Sequence, residues 1–123
     1  MSEKMPVGEF SWNELLTQDV PGATTFYTKL FGWTTQPFGP AGDYTVFKSS
    51  NTQVGGMMTM PMAGVPSNWL AYVTVANCDA SVKRAVELGA KVCAEPMDVP
   101  TVGRVAVLQD PQGASIGVFQ PLS

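Results

Sequence analysis

The 123-residue sequence contains no histidine. That removes the imidazole on which most zinc and non-haem iron sites draw, including the facial set of two histidines and a carboxylate. Cysteine is scarce as well. Cys78 and Cys93 fit no C-x-x-C pattern and have no histidine to share a zinc with, so both are expected to be reduced, buried thiols. Charge is sparse: only 14% of residues are charged, the net charge is −3, and the sequence pI is about 4.7. The seven basic residues are scattered apart from Lys83-Arg84, which leaves no electrostatic footprint for nucleic acid. Long apolar runs are missing too. The longest are strand-sized and broken by Pro, Gly or polar residues, short of the roughly 20 needed to span a membrane. The N-terminal Met1-Ser-Glu-Lys-Met-Pro6 has no apolar h-region, so a cytoplasmic location is expected.

What is present is apolar for a soluble chain of this size, with 45% hydrophobic residues. One folding unit is expected, with part of its surface covered by a second copy in a homodimer.

Residues 8 to 17 alternate as a strand, with Phe10, Trp12, Glu14 and Leu16 on one face. Asp19 can cap a helix in which Ala23, Phe26, Tyr27, Leu30 and Phe31 recur at helical spacing. That helix should bury its apolar stripe on a sheet, and Gly32 stops it. Strands follow at about Trp33 to Phe38, Tyr44 to Lys48 and Gln53 to Met60, giving the order βαβββ. Pro61 to Ser67 reads as a connector.

The same order then begins again. A strand at Asn68 to Ala76 leads to a helix opened by Asp79 or Asn77 and closed at Gly89, followed by strands near Lys91 to Ala94, Arg104 to Gln109 and Ser115 to Gln120. The helix stops Gly32 and Gly89 lie 57 residues apart, and Gly42 with Gly103, Phe47 with Leu108 and Gly56 with Gly117 lie 61 apart. A few inserted loop residues account for the difference. The expected fold is therefore α+β. Module one covers about 8–60, the connector 61–67 and module two about 68–120, all in a single domain of residues 8–123 after a flexible terminus of residues 1–7.

A duplicated βαβββ unit of this size resembles the vicinal-oxygen-chelate superfamily of glyoxalases, bleomycin-resistance proteins and extradiol dioxygenases. The phrases Trp12-Asn-Glu-Leu-Leu-Thr-Gln-Asp19, Phe26-Tyr27 and Leu30-Phe31-Gly32-Trp33 look like its first strand and helix, and Gly103-Arg104 through Asp110-Pro-Gln-Gly113 like its last hairpin. Within the superfamily the chain is similar to the uncharacterised glyoxalase-like branch. The resemblance implies that the modules form a cupped mixed sheet with the helices outside. It also implies a metal held by the first and last strands of each module. Those four positions fall on Trp12, on Leu70 (or Trp69), on or beside Gly56, and on Gly117. None supplies a metal donor, so no metal and no cofactor is expected and dioxygenase chemistry is excluded.

Side chains sharing a face with those positions should line the cavity that the resemblance implies. These are Trp12, Glu14, Met58, Leu70, Tyr72, Ser115 and Phe119. Glu14 lies among aromatics, where desolvation disfavours its charge and raises its pKa, which suits proton transfer; alternatively it accepts hydrogen bonds and orders the sheet. Tyr72 stands 58 residues further on, at the corresponding place, either as a second polar group facing the same cavity or as a core tyrosine. Arg104 either grips an anionic ligand or pairs with a carboxylate such as Asp110. The methionines of the Gln53–Met60 strand read as core filling, and Gly55-Gly56 as a bulge by default or a close approach. Three functions remain open: a binding module for a small, partly aromatic molecule, a metal-independent isomerase or lyase using Glu14, and a structural subunit.

Overall fold

The computed structural model describes residues 6–122. Most of the terminus expected to be flexible, and the segment read for a signal peptide, lie outside the described residues. The elements run β1 (Phe10–Thr17), α1 (Val20–Phe31), β2 (Thr34–Phe38), β3 (Tyr44–Ser49), β4 (Thr52–Thr59), β5 (Asn68–Thr74), α2 (Cys78–Glu87), β6 (Lys91–Val99), β7 (Gly103–Gln109) and β8 (Ser115–Pro121). The fold is α+β, and βαβββ occurs twice. No helix among the described residues is long and apolar enough to cross a membrane.

The chain divides into two compact units: Trp12–Leu70, and the chain from Ala71 onward joined by the segment before Trp12. In the first, the strand order is β2-β3-β4-β1, antiparallel except where β1 meets β4 in parallel. In the second it is β5-β8-β7-β6, again antiparallel except where β5 meets β8. Each module thus closes on its own first strand. A parallel pair needs a long crossover, and the helix and two strands between β1 and β4 supply one.

Local chemistry sets the helix limits. The Asp19 carboxylate accepts from Gly22 N–H at 2.9 Å, and Pro21 occupies the first turn, where no amide donor is needed. Gly32, at φ 72°, ends α1 by donating its N–H to Thr28 O. In α2 it is Asn77, not Asp79, that caps, accepting from Ala80 N–H at 2.9 Å, and Gly89 follows the helix at φ 102°.

One face of α1 packs its Val20, Ala23 and Tyr27 against the buried Leu15, Phe47 and Met57. Full burial of a side chain such as Phe47 contributes about 2–3 kcal/mol. Phe26, Leu30 and Phe31 do not join them and are more than half exposed. The expectation that they belong to the buried stripe is corrected: the apolar arc of α1 is wider than the sheet it covers. In the second unit Cys78 and Val82 of α2 pack on Ala106, Leu108 and Val118.

Two further expectations change. β6 runs on to Val99 through Pro96, which an edge strand tolerates at the register shift between Ala94 and Met97. Cys93 is exposed rather than buried, because another shift between Val92 and Ala94 makes it an extra residue on that edge.

Candidate functional site

In the first unit, Glu14 of β1 stands opposite Gly56 of β4, and Gly56 opposite Val46 of β3. Leu15, Phe47 and Met57 point towards α1, so their neighbours Trp12, Glu14, Leu16, Tyr44, Val46, Gly56 and Met58 present the other face. The expected grouping of Trp12, Glu14 and Met58 is found there. Glu14 is 9% exposed, and a carboxylate so placed needs a partner.

One such partner is Tyr44, the first residue of β3, which drew no functional expectation from the sequence. Its hydroxyl is hydrogen-bonded to Glu14 and accepts from Trp12 Nε1–H at 3.0 Å. The ring leans across Gly56, where any Cβ would overlap the hydroxyl and ring of Tyr44. Burial holds the phenol far above its ordinary pKa; the Glu14 charge adds to this and the Trp12 hydrogen bond opposes it. Phe38 closes edge-on against Tyr44 at 6.3 Å between ring centres.

Gly55 and Gly56 are close approaches. A Cβ at Gly55 would come within 2.8 Å of the Asn13 carbonyl, and one at Gly56 would strike Tyr44. The register shift is also present, opposite Phe47 and Lys48.

The second unit repeats the device. Tyr72 of β5 stands opposite Gly117 of β8, and its ring fills the place of a Gly117 side chain. Phe119, on the same face of β8, lies over Gly103, where a Cβ would be 2.8 Å from its ring. Ser115 is exposed at the start of that strand. Leu70, two residues before Tyr72 on the same face of β5, is 2% exposed. Thr74 is fully buried, and its hydroxyl has no hydrogen-bond partner among the described residues.

Arg104 is placed elsewhere. It alternates with Val105, which is paired with Phe119, and so shares the α2 side of β7 with Ala106 and Leu108. Its guanidinium donates to both Asp79 oxygens, at 2.7 and 3.1 Å, and to Asp98 at 3.0 Å. Those bonds hold the Asp79 carboxyl below the usual carboxylate range. Asp110, the partner named from sequence, instead accepts the Gln112 and Ala114 amides of its own turn. A cleft of about 170 Å³ beside Arg104, and an apolar one of about 200 Å³ between Leu88 and Pro111, include neither Tyr72 nor Phe119.

The residues on which the resemblance places the four metal ligands, with Trp69 as the alternative to Leu70 and one of them on or beside Gly56, do not fit a metal. Trp12 uses its indole N–H on Tyr44, Leu70 is aliphatic, and a tyrosine fills the space at Gly56 and at Gly117. Among the described residues no group of three or more His, Cys, Asp or Glu could hold one.

The architecture matches methylmalonyl-CoA epimerase from Mycobacterium tuberculosis with a TM-score of 0.65 over 94% of this chain and 89% of that one. At 13% identity this likeness concerns the fold alone, which is the vicinal-oxygen-chelate fold. In sequence, the chain is 43% identical over 116 residues to CFP32 of Mycobacterium bovis, a protein named provisionally as a glyoxylase. It is 33% identical over 129 residues to the anthracycline biosynthesis protein DnrV of Streptomyces peucetius. These matches cover 93% and 92% of this chain but 44% and 47% of the relatives, so the chain spans less than half of their length. The family model described as a glyoxalase-like domain matches residues 13–119, nearly the whole described chain, and the protein belongs to that family.

Proposed function

We propose that this glyoxalase-like domain binds a small, partly aromatic molecule without a metal or cofactor, in the manner of a bleomycin-resistance protein. The observation that carries this reading is the pair of glycines, Gly56 and Gly117, each overlaid by a tyrosine where a metal ligand is expected. In the first unit the surface left is aromatic and apolar, with Trp12, Phe38, Tyr44 and Met58 around one carboxylate, the composition of a small-molecule site. Tyr72, Phe119 and Ser115 are the corresponding residues of the second unit. DnrV, named for the biosynthesis of a polycyclic aromatic product, agrees with an aromatic ligand. The exposed Phe26, Leu30 and Phe31 agree with a homodimer.

Calorimetric titration of chelator-treated protein with an anthracycline and with a monocyclic aromatic acid tests the reading. Binding should survive chelation and weaken at least about tenfold in Trp12→Ala, the loss of one stacking ring. Binding that disappears on chelation and returns with one metal per chain would end it.

The hydrogen bond between Tyr44 and Glu14 favours a second reading, a metal-independent isomerase or lyase. Glu14 moves the proton and the Tyr44 hydroxyl stands beside it as donor. Arg104, occupied by two carboxylates on the other side of β7, has no part in it. Turnover of a carbonyl substrate by the wild type and not by Glu14→Gln distinguishes this reading from binding alone.

A further inference from the structure

We infer that Tyr44 is the positioning residue of this site: admitted by the missing side chain at Gly56 and steadied by Trp12, its hydroxyl fixes the Glu14 carboxylate in one orientation. The role of that carboxylate towards a ligand rests on the reading above; its orientation by Tyr44 does not.

The direction of the hydrogen bonds follows from the donor inventory. An indole N–H can only donate, so at 3.0 Å the Tyr44 oxygen is the acceptor. Its own proton is then available to Glu14, and an ionised carboxylate can only accept. The order Trp12 to Tyr44 to Glu14 is therefore forced, and each bond polarises the next in the same sense. Tyr44 stays protonated throughout the range in which a carboxylate titrates, so it remains a donor.

Sterics restrict the position. Glu14 and Gly56 are directly opposite on neighbouring strands, and Tyr44 comes from β3, one strand beyond. Only by crossing over β4 can its hydroxyl arrive at β1. Two strand spacings of about 4.8 Å each separate β3 from β1, a gap that the length of Tyr44 and the reach of Glu14 bridge together. A side chain at position 56 would occupy the path. Gly56 thus acts as an opening sized for this ring, and the polar bonds fix where the ring stops.

The test reads the carboxylate directly and needs no ligand, so its failure is separate from failure of the binding reading. Infrared difference spectra of wild type against Glu14→Gln isolate the Glu14 carboxylate band. In Tyr44→Phe, which keeps the ring, that band should shift and broaden as the donated bond is lost. Gly56→Ala provides a second route, displacing the hydroxyl with the phenol intact, and should move the band in the same way. Carbon-13 labelling of tyrosine Cζ gives the reverse readout at neutral pH: in Glu14→Gln the Tyr44 Cζ resonance should move, because its hydroxyl loses the charged acceptor. Trp12→Phe should leave the ring seated and weaken the effect without abolishing it. A Glu14 band unchanged in both Tyr44→Phe and Gly56→Ala, or a Tyr44 Cζ resonance indifferent to Glu14→Gln, would overturn the inference.

Discussion

Alanine at Gly117 should destabilise the protein more than alanine at Gly56, although both glycines are buried and neither has a positive φ. The difference lies in which part of the tyrosine is struck. At Gly56 the added carbon meets the hydroxyl, Cζ and Cε2 of Tyr44, the far end of a half-buried side chain that can swing aside. At Gly117 it meets Cγ, Cδ2 and Cε2 of Tyr72, close to the root of a ring that is only 6% exposed. There the ring must leave its rotamer or the strands must part. Overfilling a packed site costs about 1–3 kcal/mol, and expelling a buried aromatic costs up to about 3–5. Alanine returns about 0.5–1 kcal/mol at either position by restricting the unfolded chain. Gly117→Ala should therefore cost about 2–3 kcal/mol, and Gly56→Ala about 1, mostly the displaced hydrogen bonds. Urea unfolding at unchanged m measures both. In a Tyr72→Ala background the Gly117→Ala cost should largely vanish, since the two residues share one volume. Equal costs for the two alanines, or additivity with Tyr72→Ala, would refute the steric account.

A thiol reagent should label one cysteine per native chain, Cys93 on the exposed edge, and not Cys78, whose thiol is raised by burial and then by the Asp79 charge; mass spectrometry identifies the site. Elemental analysis after chelation should find no stoichiometric zinc, nickel or iron, and one equivalent per chain would contradict the proposed metal-free site. Light scattering at micromolar concentration should give twice the 13.1 kDa chain mass, and a monomer at every concentration would remove the dimer. Asp79, held low by Arg104, adds stability above its unfolded pKa of about 3.9 and loses it as pH falls through the folded value. Asp79→Asn should then be less stable than wild type at pH 7 and converge with it as pH falls through the folded value of Asp79, by urea unfolding at each pH.

The fold was legible because its signals are local and occur twice. Asp19 and Gly32 bound α1, Asn77 and Gly89 bound α2, and the Gly56 and Gly117 correspondence places the last strand of each module beside its first. The misreadings come where tertiary context overrules a local rule. Pro96 argues against a strand, yet β6 is an edge and its register shifts near that residue. Helical spacing assigns Phe26 and Leu30 to the same apolar arc as Ala23 and Tyr27, but spacing does not say how much sheet lies beneath.

The site was legible only as far as alternation along one strand reaches. Period two puts Trp12 and Glu14 on one face, and Tyr72 on the same face of its strand as Leu70, from sequence alone. It cannot find Tyr44, because Tyr44 meets Glu14 by passing over an intervening strand. The pairing that brings three strands into register depends on turns and a bulge between residues 44 and 56. The carboxylate pairing of Arg104 was among its sequence readings, but its partners were not found for a related reason: it faces α2, a side chosen by the packing of Ala106 and Leu108 and not by its own charge. One signal for Tyr44 was nonetheless present. A glycine inside an apolar strand, opposite a buried acid, leaves a volume that close packing does not leave empty, and that volume is within reach of a long polar side chain from the next strand. Gly117 poses the same question, and Tyr72 answers it from the neighbouring strand. Where glycine stands at an expected ligand position, the residue to look for is the one that fills the space, and here in both units it is a tyrosine.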